Sequence, residues 1–166
     1  MKLRRVGVFL SILAACGAAL YLLYRDSDEA KIRKRLDVLA ETLSKSGPEG
    51  PLSVLPKMQR LSDLFTKDCR VSAGGPVPFI EGERALLAAF QRLYGEVDSV
   101  AVRFYDVEVT ADPSGRAARA TLSATATRRH LVRRGESLYA RELNFDWKKV
   151  DGAWRIDEVT VIEILR

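Results

Sequence analysis

Tyr105, Asp106 and His130 are the side chains of this chain best suited to moving a proton: a phenol, a carboxylate and the only imidazole in the sequence. Gathered in one pocket, such groups would supply a general acid, a general base and a donor for a developing oxyanion. A plainer reading stands beside this one, because a lone His between Arg129 and Leu131 near a strand end is more often a surface residue. A second cluster is basic. Arg128, Arg129, Arg133 and Arg134 surround one predicted turn. There they could hold phosphate headgroups or an acidic partner, or they could form a solvated hairpin tip with Glu136 as counter-ion. Metal chemistry has little to work with, since Cys16, Cys69 and one His do not make a zinc set. No cofactor is expected.

Positioning these groups requires strands, and the clearest strands lie at the end of the chain. Tyr139, Leu143, Phe145 and Trp147 alternate with Ala140, Glu142, Asn144, Asp146 and Lys148, the period of a half-buried strand with its charges on the outer face. Asp151-Gly152 supplies a tight turn, after which Trp154 and Ile156 pack beside Phe145 and Trp147. The apolar phase then shifts to Val159 and Val161, which predicts a bulge near Asp157-Glu158 or burial on both faces. Upstream, Val100 to Thr110 and Arg116 to His130 read as two more strands joined by the turn Asp112-Pro113-Ser114-Gly115. In the second of these, Thr121, Ser123, Thr125 and Thr127 alternate with Ala120, Leu122, Ala124 and Ala126.

Helices come first. Ser27 caps a helix with acids in its first turn and Ile32, Leu36, Leu39 and Leu43 on one face. Pro56 opens a second, carrying Met58, Leu61, Leu64 and Phe65. Lys67 to Ala73 is a short strand, and Phe79-Ile80 leads into a third helix over about Gly82 to Tyr94 with Leu86, Phe90 and Leu93 together. Helices followed by strands mean an α+β domain, one antiparallel meander curled over a set of helices.

Before the domain, Val6 to Tyr24 is an uncharged run of nineteen residues between Met-Lys-Leu-Arg-Arg and Arg25-Asp26. As a helix it would be about 28 Å long, close to the hydrocarbon thickness. It reads as a single-pass signal anchor at residues 6–24, with residues 1–5 as a cytoplasmic tail and residues 27–166 as the domain, periplasmic at a bacterial inner membrane. Leu13-Ala14-Ala15-Cys16 also matches a lipobox, which would make Cys16 the lipidated first residue of a lipoprotein. Net charge is +5, and removing Lys2, Arg4 and Arg5 leaves 24 basic against 22 acidic residues. That near balance argues against a nucleic-acid partner.

The order of elements carries a resemblance. The helix ending Leu64-Phe65-Thr66-Lys67-Asp68-Cys69-Arg70-Val71, the run Ile80-Glu81-Gly82-Glu83-Arg84-Ala85-Leu86 and the closing Lys149-Val150-Asp151-Gly152-Ala153-Trp154-Arg155-Ile156 resemble the nuclear transport factor 2-like superfamily, which includes ketosteroid isomerase and SnoaL-like proteins. The resemblance implies a cone-shaped curved antiparallel sheet packed on three helices, preceded here by the transmembrane segment. It also implies a cone interior near Phe79, Phe90, Phe104, Phe145 and Trp147, and often a homodimer through the open sheet face. In ketosteroid-isomerase-like members a carboxylate base sits on or just after the first strand. Here that place holds Ser72-Ala73-Gly74-Gly75, and the first helix has no Tyr beyond Tyr24. The expected function is therefore a membrane-anchored, non-catalytic binding or assembly module with a protein partner in the envelope. The alternative is a SnoaL-like small-molecule binder or enzyme of isomerase, dehydratase or hydrolase type, using the cone.

Overall fold

The computed structural model describes residues 27–72, 79–130 and 136–163. They run α1 (Asp28–Leu43), α2 (Pro51–Leu64), β1 (Phe65–Ser72), β2 (Ile80–Glu81), α3 (Glu83–Gly95), β3 (Val97–Ala111), β4 (Ala117–His130), β5 (Glu136–Val150) and β6 (Ala153–Glu163). The strands form one sheet in the order β2-β1-β6-β5-β4-β3. Three helices lie on a mixed sheet rather than a purely antiparallel one. β3 to β6 make the expected meander, but β1 joins β6 in parallel, with Phe65 opposite Ile156 and Val71 opposite Val159. The period within β1 could not disclose this, because alternation specifies faces and not the direction of a neighbour.

Local chemistry accounts for the element ends. Ser27 accepts a hydrogen bond from the Ala30 amide at 3.1 Å, capping α1. Asp151 and Gly152 both adopt positive φ, 51° and 78°, as a two-residue hairpin turn demands. The bulge foreseen at Asp157 is present, since Asp146 pairs with Glu158 and Trp147 with Ile156, which skips one residue. Two boundaries differ from expectation. α2 starts at Pro51 and carries Pro56 inside. Pro56 withholds one amide from the first turn, and that turn is exposed, with Leu52 at 84 % and Leu55 at 61 %, so water can satisfy the freed carbonyl. Residues 80–81 form β2 against Arg70 and Val71 before α3 begins.

Ile32, Leu36 and Leu39 of α1 and Leu61 and Leu64 of α2 pack on Trp147, Trp154 and Ile156 in a single core. Asp28 fixes this end. It accepts from Trp154 Nε1 at 3.0 Å and from Lys149 Nζ at 3.0 Å. Its carboxyl is held below the usual aspartate range first by the Trp154 hydrogen bond and then by Lys149. Cys69 is a buried free thiol on β1, and burial pushes its pKa up. No helix among the described residues is long and apolar enough to cross a membrane. Residues 6–24, Cys16 included, lie outside the described residues.

Candidate functional site

Facing positions on β4 and β5 set up the site. Ala120 pairs with Phe145, Leu122 with Leu143, Ala124 with Arg141 and Ala126 with Tyr139, and all of these share the face turned to the helices. Towards Ala118 and Trp147 this face is filled. Towards Ala126 and Tyr139 the small alanines leave room, and a cavity of about 360 Å³ opens between the sheet, α3 and the end of α1. Its wall is almost wholly apolar, with Leu39 and Leu43 from α1, Ala89, Phe90, Leu93 and Tyr94 from α3, and Val100, Val102 and Phe104 from β3. Phe104 meets Phe145 edge-to-face at 5.9 Å between ring centroids, which stiffens one side. The volume falls within the range of small-molecule sites.

Tyr94 closes the wall near the end of α1. Its ring faces the cavity, while its hydroxyl accepts from Lys57 and donates to Glu49 at 3.0 Å. Lys45 and Lys57 lie over the ring at 4.6 and 4.9 Å. Burial raises the pKa of the phenol, with the Lys57 hydrogen bond opposing it. Burial would also raise Glu49, but hydrogen bonds from Lys57 and Tyr94 hold it below the usual range. Tyr94 is thus a neutral phenol braced against an ion pair. It gives the cavity an aromatic wall and no base. Backbone bonds between Lys45 and Val100, 2.7 and 2.9 Å long, tie this corner to β3.

At another part of the wall the lining turns polar. Arg128 Nη2 donates to the Tyr139 hydroxyl at 2.9 Å, and its guanidinium lies 5.0 Å from the centre of the Tyr139 ring. Arg141, two residues along β5 on the same face, donates to the carbonyl of Ala140 at 2.8 Å. Both arginines line the cavity.

The residues singled out from sequence divide accordingly. Phe90, Phe104 and Phe145 line the cavity. Phe79 does not; it is 66 % exposed beside the edge strand β2. Trp147 is 1 % exposed, packed in the filled part of the core beyond the cavity. Tyr105 and Asp106 point outward, which removes them from the cavity. Tyr105 does so by alternation with Phe104, and for Asp106 a bulge decides: Asp106 has φ of 51°, and the register of β3 on β4 slips between Tyr105 and Glu108. Val102 and Phe104 therefore face inward before it, and Val107 and Val109 after it. His130 ends β4 opposite Val97, and its side chain lies outside the described residues. Of the four arginines read as a surface patch, Arg128 instead faces the cavity. Arg133, Arg134 and the side chain of Arg129 lie outside the described residues, as do Ala73, Gly74 and Gly75, where a carboxylate base would be expected. Glu142, Asn144, Asp146 and Lys148 do decorate the outer face. Thr121 donates to Asn144 at 2.8 Å, Arg119 pairs with Asp146 at 2.7 Å, and Lys148 pairs with Asp157 at 2.8 Å. Tyr139 belongs to the inward row with Leu143 and Phe145, and Arg141, absent from the sequence reading, occupies the same row, which is the readable signal for it.

A model of the SnoaL-like domain matches residues 57–160, more than half of the chain. The chain belongs to the SnoaL-like family. Solved structures similar to this SnoaL-like chain include a protein of Novosphingobium aromaticivorans provisionally named scytalone dehydratase, 17 % identical over 80 % of both chains with a TM-score of 0.66. Another is the type 2 hexachlorocyclohexane dehydrochlorinase LinA, 13 % identical over 86 % of this chain and 90 % of that one, with a TM-score of 0.67. A nuclear transport factor 2-like superfamily protein from Salmonella enterica serovar Typhimurium is 11 % identical over 83 % and 92 %, also at 0.67. At such identities these likenesses show the fold alone. Among curated proteins none matches.

Proposed function

We propose that this SnoaL-like chain binds an apolar small molecule in the cone. The observation that carries the reading is the cavity itself, about 360 Å³ with an almost wholly apolar wall. A domain used only as an assembly module has no need to keep that volume empty, since larger side chains at Ala124 and Ala126 would fill it. The uncharged run of residues 6–24 would hold the domain at a bacterial inner membrane with the cone on the periplasmic side, or Cys16 would hold it through a lipid. Cys16→Ser distinguishes the two, releasing the protein only in the second case. The outer sheet face, where Tyr105 is 45 % and Leu138 68 % exposed, is the surface proposed for a second copy.

A catalytic role in the same cavity is the second reading, favoured by the dehydratase and dehydrochlorinase names among similar structures. Eliminations of that kind need a proton acceptor near the substrate. Arg128, Arg141 and Tyr139 are donors, able to polarise a leaving group or stabilise negative charge. No carboxylate or imidazole stands among the described residues of the wall. Binding is therefore the primary proposal.

Native mass spectrometry of the full chain, extracted from its own membrane in mild detergent, tests it. A reproducible small-molecule adduct is expected, absent in Ala126→Phe. Bare protein, or protein carrying only other subunits, would instead favour the envelope module.

A further inference from the structure

The polar end of the cavity is made of donors. Arginine can only donate, so in its bond with Arg128 the Tyr139 oxygen accepts, and the Tyr139 hydrogen remains for another acceptor. Arg128 Nε is buried with no hydrogen-bond partner. Arg141 spends one N–H on the neighbouring Ala140 carbonyl, which leaves most of its donors. Neither arginine pairs with a carboxylate among the described residues. Three other cations of the sheet do carry carboxylates, Arg70 with Glu158, Arg119 with Asp146 and Lys148 with Asp157; Arg155 Nε on β6 is likewise buried without a partner, but Arg155 does not line the cavity. Ala124 and Ala126, opposite Arg141 and Tyr139, leave the donors uncovered from across the strand pair.

We infer that the cavity takes an amphipathic carboxylate, its apolar body between α3 and the sheet and its carboxylate held by Arg128, Tyr139 and Arg141. This rests on the cavity being a ligand site and names the class of ligand. A group offering only acceptors satisfies a donor-only cluster. A planar carboxylate also matches the fork of a guanidinium, and charge-assisted bonds are the strong ones. The flanking aromatic and aliphatic wall selects against small hydrophilic anions, which would give up hydration without apolar contacts in return.

The test is calorimetric titration of the full chain in detergent with a panel of matched acids and neutral amides, with straight-chain and fused-ring bodies. At least one acid is expected to bind about tenfold or more tightly than its amide, the size of one charge-assisted hydrogen bond. The acid's affinity should fall as salt is raised, and the amide's should not. Arg128→Met and Arg141→Met should each weaken the acid by more than they weaken its amide and so shrink the preference several-fold, and Tyr139→Phe should reduce it less. Thermal melts by circular dichroism establish that each variant is folded. If Arg128→Met is not, Arg128→Lys and the wild-type acid–amide comparison decide. Equal binding of acids and amides would overturn the carboxylate inference and leave the cavity reading intact. No binding by any member would overturn both.

Discussion

One strand pair serves two ends of the molecule in different ways. At the closed end, Ala118 and Ala120 of β4 face Trp147 and Phe145 of β5, and α1 seals the layer so that all four are buried. At the open end, Ala124 and Ala126 face Arg141 and Tyr139, and the cavity separates them from α3 and the end of α1. The alternation is identical, small residue against large, and so is the backbone. What differs is whether a helix packs directly onto the strand pair or stands off across the cavity. Where it packs directly, a small residue makes room for a neighbour and packing density results. Where it stands off, the same small residue makes room for a ligand.

Breaking the closed end should cost the most. Trp147→Ala is expected to lower unfolding free energy by about 3–5 kcal/mol, read from urea titration. A loss below about 1 kcal/mol would mean that the two ends are not distinct in packing. Next in size is Asp28→Ala, which strands the indole N–H of Trp154 and removes the partner of Lys149, at about 1–3 kcal/mol near neutral pH. Here pH sharpens the contrast. The folded pKa of Asp28 is depressed, so its stabilisation is fully present above the ordinary aspartate value and is lost as pH falls through the lower folded value. Urea titrations of wild type and variant should therefore converge on acidification; a constant gap would show that Asp28 acts without its charge. The smallest effect on stability belongs to the open end. Ala126→Phe should change unfolding free energy by no more than about 1 kcal/mol, and yet remove ligand binding. A large loss of stability there would mean that the space is packed in solution.

Most of the fold was legible because each element announces itself locally. Ser27 before two acids, Asp151-Gly152 between alternating aromatics, and the phase change around Asp157 are signals within a few residues. The cone was legible through the order of those elements, and Phe90, Phe104 and Phe145 followed from it. What escaped depends on distant pairing or a single backbone angle. The parallel β1–β6 contact joins residues about ninety apart, and no local period records it. Tyr105 faces solvent by alternation with Phe104, and positive φ at Asp106 reverses the phase of β3 so that Asp106 does too. Arg128 reads with its sequence neighbours as part of a charged tip, because proximity in sequence conceals that alternation sends it inward beside Tyr139.

The place of β6 between β1 and β5 also bears on how the protein is made. β1 leaves the ribosome long before β6, and until then its only strand neighbour is the two-residue β2. The faces of α1 and α2 that pack on Trp147, Trp154 and Ile156 must therefore wait, uncovered, for the final hairpin to arrive. Sheets closed by such distant pairings form slowly, and the waiting segments are the ones most exposed to misassociation. Assembly of this domain is accordingly a late, nearly all-at-once event in synthesis, and chaperone dependence should track the emergence of Ala153–Glu163 rather than of the helices.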